Sequence, residues 1–411
     1  MNLKKYVVDP AMFWLCLAAS GVGLIAIWDA GYARNTGGIF PRELRWQAMY
    51  LVLAVVAYYL CTRMSPKVWR WLSWVGLLLS FGSLIAVRMP GIGHEIGGAQ
   101  RWLKFGPVTV QPSEFIKLGA IMFLASTMAG HTAWQAPKKA IQNFAQRLDR
   151  IWVPKIKRGF PFFLVLALAV LVERQPDLAT AGMIVAASLA IIIVAGVTRK
   201  SLLIFAAVSA FAVGFAIYEQ PYRLNRFKVH EQRWSQQNIL DGGYQTVVSE
   251  TALARGGFFG VGIGNGSAKT SLPAPTTDFV LATVGEEFGV LGVLAIVTLL
   301  ALITVRLYVQ AARAPTAFAR LALVGLSVWI GVQTCVSVMM VNGVLPPIGI
   351  PLPFISYGGS SLLALWMGVG IGMSLQRTNI GQKEVAQPET GSYGWRDRRP
   401  RVSSAGSRRA G

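Results

Sequence analysis

The chain has 411 residues, of which 54% are hydrophobic and only 14% are charged, and its mean hydropathy is +0.49. Soluble domains carry roughly 25% charged residues, so the composition excludes a set of soluble domains. The net charge of +21 does not indicate nucleic-acid binding, because the basic residues lie between apolar runs and in the C-terminal tail. Three cysteines inside apolar runs and three scattered histidines indicate neither a disulfide framework nor a zinc site.

The apolar runs predict an all-α integral membrane protein, a polytopic bundle of about ten transmembrane helices of about 20 residues each. The first run is long enough to be a retained span and not a cleaved signal peptide. The predicted spans lie near residues 11–29, 45–61, 71–88, 113–129, 160–173, 177–197, 202–218, 279–305, 319–341 and 357–376.

An even number of spans places both termini on one side of the membrane, and the positive-inside rule decides which side. With cytoplasmic termini, 25 of the 39 Lys and Arg residues fall in cytoplasmic segments. We therefore predict cytoplasmic termini, a membrane domain over residues 1–376, and one long extracytoplasmic loop over residues 219–277, here called the long outer loop. A loop of that length is usually functional. The polar tail, residues 377–411, is predicted to be disordered, basic and attracted to anionic membrane lipids.

Ionisable residues at membrane depth are functional hypotheses, and the first group of them begins the predicted fourth span. Gln111, Glu114 and Lys117 are spaced by three, so they share one helix face. Pro112 suits the first helical turn. A capping glutamate with an i,i+3 ion pair would be a structural explanation, but a desolvated pair in a membrane favours a functional one.

A second group ends the long outer loop, where two prolines stiffen the approach to Asp278. The sequence places Asp278 in the first turn of the predicted eighth span, with a threonine available as its cap. Two explanations stay open for this carboxylate. It would complement the helix dipole, or it would act as a general base whose basicity is raised by partial desolvation.

A third group, Asn342–Ser361, contains four prolines and is not a regular helix. Irregular backbone at membrane depth requires partners from protein or a water-filled cavity. The segment therefore reads either as a re-entrant or broken-helix lining of an outward-facing cavity, or as a plain loop between spans. Residue chemistry alone does not separate a transporter from an enzyme.

At these three groups the sequence resembles the SEDS family (shape, elongation, division and sporulation), whose members include FtsW and RodA. The resemblance covers nearly all of residues 10–378. It is carried by Gln100-Arg101-Trp102, Gln111-Pro112-Ser113-Glu114 with Lys117, Gln175-Pro176-Asp177-Leu178, Gly243-Tyr244-Gln245, Thr277-Asp278-Phe279, Gly285-Glu286-Glu287 and the run from Pro351 to Ser361.

The resemblance implies a multi-pass glycosyltransferase of the bacterial cytoplasmic (inner) membrane that polymerises lipid II into glycan strands with a class B penicillin-binding protein. The family's catalytic aspartate is matched by Asp278, and its essential Glu and Lys by Glu114 and Lys117. Ala274 and Thr276 stand where many relatives have Glu and His, so neither receives an acid or imidazole role. The motifs leave division and elongation both open, with a weak preference for division.

An inverting transfer from a diphosphate donor needs a base, for which we predict Asp278, and positive charge where the diphosphate departs. A divalent cation such as Mg²⁺ or Mn²⁺ would assist, but the sequence contains no dedicated metal cage. A lipid II flippase and a scaffold of the division or elongation machinery are the alternatives. The predicted substrate-binding residues are the cations Arg101, Lys117, Arg223, Arg226 and Lys269, together with Gln111, Glu114, Asp177 and Ser356.

Overall fold

The computed structural model of the chain describes residues 9–34, 39–96, 99–106, 108–130 and 153–377. A helix lies at each of the predicted spans. These helices are α1 (Pro10–Tyr32), α2 (Arg42–Arg63), α3 (Pro66–Val87), α4 (Pro112–Met128), α5 (Val153–Glu173), α6 (Leu178–Val194), α7 (Arg199–Glu219), α11 (Val280–Ala312), α12 (Ala317–Val341) and α13 (Gly359–Leu375).

Within the described residues, six of these helices (α1, α2, α3, α7, α11 and α12) are long and apolar enough to cross a membrane. The apolar stretches of α5, α6 and α13 are shorter, at 10–17 residues. The polytopic helical fold is thus confirmed, while the number of spans stays a prediction. The predicted disordered tail, apart from Arg377, lies outside the described residues.

The long outer loop is not structureless. It contains α8 (Pro221–Glu231), α9 (Tyr244–Gly256) and the single turn α10 (Ala268–Ser271). The segment before α4 folds into a small antiparallel sheet in the order β1-β2-β3, formed by Gly93–Ile96, Ala99–Phe105 and Val108–Val110. The apolar periodicity did not predict this sheet, which adds a minor β element to an otherwise helical protein.

Helix α11 is divided at Gly289, whose φ of 66° and ψ of −162° are not helical. An undivided helix of 33 residues would be about 50 Å long at 1.5 Å per residue, well beyond a hydrocarbon core of about 30 Å. A Cβ atom at Gly289 would lie 2.5 Å from the carbonyl oxygen of Phe258, so only glycine fits there. Residues 280–288 therefore form a separate short arm, which carries Glu286 and Glu287.

The segments predicted to be extracytoplasmic meet at one end of the bundle. The Arg34 guanidinium donates to the carbonyl oxygen of Pro273 over 3.3 Å, and Arg101 donates to that of Gln175 over 2.8 Å. The segment after α12 reaches the same region. These contacts join loops that carry candidate site residues.

Candidate functional site

Asp278 lies just outside α11, whose N-cap is Phe279 and has no side-chain cap hydrogen bond. The predictions of a first-turn position and a threonine cap were therefore wrong, because the helix begins two residues later. Among the described residues, none donates a hydrogen bond to the Asp278 carboxylate or pairs with it. Burial raises the pKa of this carboxyl from 3.8 to about 6, since charge is disfavoured away from water.

The run from Asn342 to Gly358, here called the Pro-rich segment, forms the wall beside Asp278. It contains no helix, and Phe354 has a φ of 63°. A Cβ atom at Gly349 would lie 3.6 Å from Oδ2 of Asp278. Ile350, Leu352 and Ile355 are each at most 2% exposed, so the part of the segment around them is buried and is not a plain surface loop.

Side chains of helices satisfy the backbone of this buried segment, as its depth requires. Gln47 of α2 donates from Nε2 to the carbonyl oxygen of Ser356 over 3.2 Å. The same amide accepts from the backbone N–H of Gly358 over 3.1 Å. The sequence analysis missed Gln47, although a polar amide within an apolar run was the signal that could have found it.

Two hydrogen bonds fasten the Pro-rich segment to the residues directly before Asp278. The backbone N–H of Tyr357 donates to the carbonyl oxygen of Thr276 over 2.8 Å. The Ser356 hydroxyl donates to that of Thr277 over 2.5 Å. The same hydroxyl accepts from the backbone N–H of Leu352 over 2.8 Å. Ser356, predicted to bind substrate, is therefore placed to hold the aspartate-bearing turn.

Glu114 and Lys117 form the predicted i,i+3 ion pair, with 2.9 Å between Lys117 Nζ and Glu114 Oε1. They are 3% and 1% exposed. Lys117 Nζ also donates to Gln333 Oε1 over 3.3 Å and lies 5.0 Å from the centre of the Trp329 ring. This burial places Lys117 inside the bundle, where its charge is already paired with Glu114. The second oxygen of Glu114, Oε2, is buried without a hydrogen-bond partner in the part of the chain that the structure describes.

Gln111 and Asp177 join helices. Asp177 caps α6 by accepting from the backbone N–H of Thr180, and its other oxygen accepts from the Ser113 hydroxyl over 3.1 Å. Gln111 Nε2 donates to that hydroxyl over 3.1 Å, and its backbone N–H donates to Ser360 Oγ over 3.0 Å. Both predicted substrate-binding residues thus bring together the outer ends of α4, α6 and α13.

Two of the predicted diphosphate-binding cations are buried beside carboxylates. Arg223 Nη1 lies 2.6 Å from Glu173 Oε1. Lys269 Nζ lies 2.8 Å from Asp29 Oδ1 and 2.6 Å from Glu287 Oε1. Because their charge is already paired, the structure favours a role for both cations in holding the long outer loop against the bundle.

Arg101 and Arg226 differ, because their hydrogen-bond partners among the described residues are backbone carbonyls. Arg101 donates to the carbonyl oxygens of Gln175 and Pro176. Arg226 donates from Nη1 to that of Pro347 over 3.0 Å. Neither has a carboxylate partner among the described residues. No carboxylate among the described residues neutralises the Arg226 guanidinium. The guanidinium contacts Pro347 of the Pro-rich segment, and Pro347 stands two residues before Gly349, the glycine beside Asp278.

Comparison with known proteins decides the family. Residues 10–380 match the model of the FtsW/RodA/SpoVE family, described as cell cycle protein. The chain belongs to this family. It is 33% identical over 396 residues to the probable peptidoglycan glycosyltransferase FtsW of Pseudomonas fluorescens (strain SBW25), covering 93% of this chain and 92% of that one. It is 30% identical over 385 residues to the stage V sporulation protein E of Bacillus subtilis (strain 168), covering 92% and 99%.

Solved structures support the same family assignment. A chain from a peptidoglycan synthase complex that coordinates polymerization and crosslinking superposes with a TM-score of 0.71 at 27% identity, covering 90% of this chain and 97% of that one. The Thermus thermophilus rod shape determining protein RodA superposes with a TM-score of 0.62 at 25% identity, covering 90% and 96%. The chain is thus a multi-pass peptidoglycan glycosyltransferase of the bacterial inner membrane, as the motifs implied.

Proposed function

We propose that the chain polymerises lipid II at the outer surface of the membrane, with Asp278 as general base. The Asp278 carboxylate takes the proton of the acceptor sugar hydroxyl, whose oxygen attacks the anomeric carbon of the donor. The bond to the diphosphate breaks, and the configuration inverts. The observation that carries this proposal is a desolvated carboxylate without a partner among the described residues, held at the rim of the Pro-rich segment.

The diphosphate leaves with developing negative charge, which fixed cations stabilise. Arg226 and Arg101 are the predicted cations whose guanidinium groups contact carbonyls and not carboxylates. We propose Arg226 as the cation nearest the reaction, because it contacts the Pro-rich segment beside Asp278. Arg226→Gln should lower polymerisation more than Lys228→Gln, its exposed basic neighbour on the same helix.

We propose that a divalent cation, if it takes part, binds together with the substrate diphosphate and not in a protein site of its own. The described residues contain no group of three His, Cys, Asp or Glu side chains able to hold a metal ion. Mg²⁺ is commonly held by one or two carboxylates together with substrate phosphates. Polymerisation should therefore fall with EDTA and recover with Mg²⁺ or Mn²⁺. A rate unaffected by EDTA would remove the cation from the proposal.

We propose a class B penicillin-binding protein as the partner that crosslinks the new strands. The solved complex that coordinates polymerization and crosslinking supports this pairing. The description of the matching family as a cell cycle protein supports a role in division. Co-purification with the class B protein encoded in the same genome, and filamentous growth on depletion, would test these two points.

One assay separates the candidate functions. Purified protein in detergent is given labelled lipid II, and the products are resolved by length. A polymerase yields glycan strands without a membrane. A flippase yields none in detergent but moves lipid II between leaflets of a vesicle, and a scaffold does neither. Absence of strands both alone and with the class B partner would refute the proposal.

A further inference from the structure

Gln333, in the middle of α12, lies between the buried ion pair and the Pro-rich segment. It is 0% exposed. Its Oε1 accepts from Lys117 Nζ over 3.3 Å and from Trp329 Nε1 over 2.8 Å. Its Nε2 donates to the carbonyl oxygen of Pro351 over 2.9 Å. The amide orientation is fixed by this chemistry, because two donors face the oxygen and an acceptor faces the nitrogen.

The hydrogen bonds continue from Pro351 to the turn that bears Asp278. The peptide unit between Pro351 and Leu352 is held at both ends. Its carbonyl accepts from Gln333, and its N–H donates to Ser356 Oγ over 2.8 Å. Ser356 Oγ donates in turn to the carbonyl oxygen of Thr277, the residue before Asp278. One continuous network therefore runs from the ion pair in α4 to the carbonyl of Thr277, the residue before Asp278.

We infer that Gln333 is a positioning residue for glycosyl transfer. Through the peptide unit after Pro351, it holds the turn that bears Asp278 at a fixed position relative to the buried Glu114–Lys117 pair. The inference rests on the proposed function, in which Asp278 is the base. It also assigns the ion pair a task that its burial allows, namely to anchor the network and not to contact substrate.

The network needs an amide at this position. Lys117 polarises the Gln333 oxygen, which strengthens donation from its nitrogen to Pro351, because hydrogen bonds in a low-dielectric interior reinforce one another. A glutamate would accept from Lys117 and Trp329 but would have no proton to donate to Pro351 when ionised. A methionine would fill the volume and make none of these bonds. Because Pro351 has no N–H, its carbonyl is the only backbone hydrogen-bonding group of this residue, and Gln333 is the donor to it.

The test compares Gln333→Met and Gln333→Glu with Thr334→Val. Thr334 is the matched control because it is also buried in α12, but its hydroxyl donates only to the carbonyl oxygen of Ile330 in the same helix. Lipid II polymerisation is measured for kcat, KM and the pH profile in detergent, and thermal unfolding is followed for each variant.

Both Gln333 variants should lower kcat by about 10- to 100-fold, since a misplacement of about 1 Å can cost that much. KM should change little, because substrate-contacting groups are untouched, and the acidic limb of the pH profile should move. Thr334→Val should keep all three parameters. In an Asp278→Asn background, Gln333→Met should cause no further loss, because both changes act on one step.

The results distinguish the inference from the proposed function. If Asp278→Asn retains activity, the proposed base is wrong. If Asp278→Asn is inactive while a folded Gln333 variant keeps the wild-type kcat and pH profile, Asp278 stands and the positioning role of Gln333 is refuted. A purely structural Gln333 would lower thermal stability and leave the kinetics of the folded fraction unchanged, which also refutes it.

Discussion

Replacing Asp278 with asparagine separates the chemical role of this carboxylate from any structural one. Asparagine keeps the shape but cannot accept the acceptor's proton. General-base loss typically costs about 10²- to 10⁴-fold in rate, so polymerisation should fall at least about a hundredfold. No hydrogen bond to the carboxylate is lost among the described residues, so folding and lipid II binding should survive.

The stability change should have the opposite sign to the activity change. Burial raises the pKa of Asp278 from 3.8 to about 6, and a difference of one in pKa corresponds to about 1.4 kcal/mol. The ionised carboxylate therefore lowers the free energy of unfolding at neutral pH by about 3 kcal/mol at most. This cost is nearly absent below pH 4, develops as the pH rises from about 4 to about 6, and is complete above that. Asp278→Asn should unfold at the wild-type temperature or above it at pH 7.5, and show no advantage at pH 4.

The pH dependence follows from the same pKa. Only the ionised carboxylate acts as a base, so its active fraction should rise from about one tenth at pH 5 to about nine tenths at pH 7. Wild-type polymerisation should therefore increase nearly tenfold over this range. The matched control is Asp241→Asn, which alters an exposed aspartate of the same loop and should leave the rate unchanged. A folded Asp278→Asn protein with near wild-type rate would remove Asp278 from the mechanism.

Three further outcomes are expected. Alanine at either Glu114 or Lys117 should impair activity and stability, because each substitution leaves a buried charge unpaired, which costs about 3–5 kcal/mol. The loss in the double variant should be well below the sum of the two single losses. Strictly additive losses would mean that the two residues have separate roles. Gly23→Ala should lower the free energy of unfolding by about 1–3 kcal/mol, because its Cβ atom would lie 2.6 Å from a backbone oxygen of the Pro-rich segment. The control, Gly21→Ala, should cause no such loss, because there is open space around Gly21. Equal effects of the two substitutions would contradict this packing. In a cysteine-free background, a cysteine in the long outer loop should react with an impermeant thiol reagent on intact cells, and one between the fourth and fifth predicted spans should not; the reverse pattern would invert the topology.

The sequence determined the helical membrane fold because apolar run length has a direct physical meaning in a bilayer. It also determined local pairs. Glu114 and Lys117 are three residues apart on one helix, so their ion pair follows from helix geometry alone. Pro112 at the first turn of α4 follows equally from local backbone preference. The choice of Asp278 as the proposed base came from the resemblance to a family motif, because residue spacing alone left a helix-dipole role equally open.

Contacts between distant segments were decided by the tertiary structure. Nothing near Lys269 in the sequence indicates that its ammonium group pairs with Asp29, 240 positions away. Nor does the sequence show that Arg226 has a carbonyl and no carboxylate as its partner among the described residues. The division of α11 at Gly289 depends on the approach of Phe258 from another segment. Gln47 and Gln333 were visible only as amides inside apolar runs. Their partners on the Pro-rich segment exist because buried carbonyl and N–H groups must find hydrogen bonds, and only the packed bundle fixes which side chains supply them.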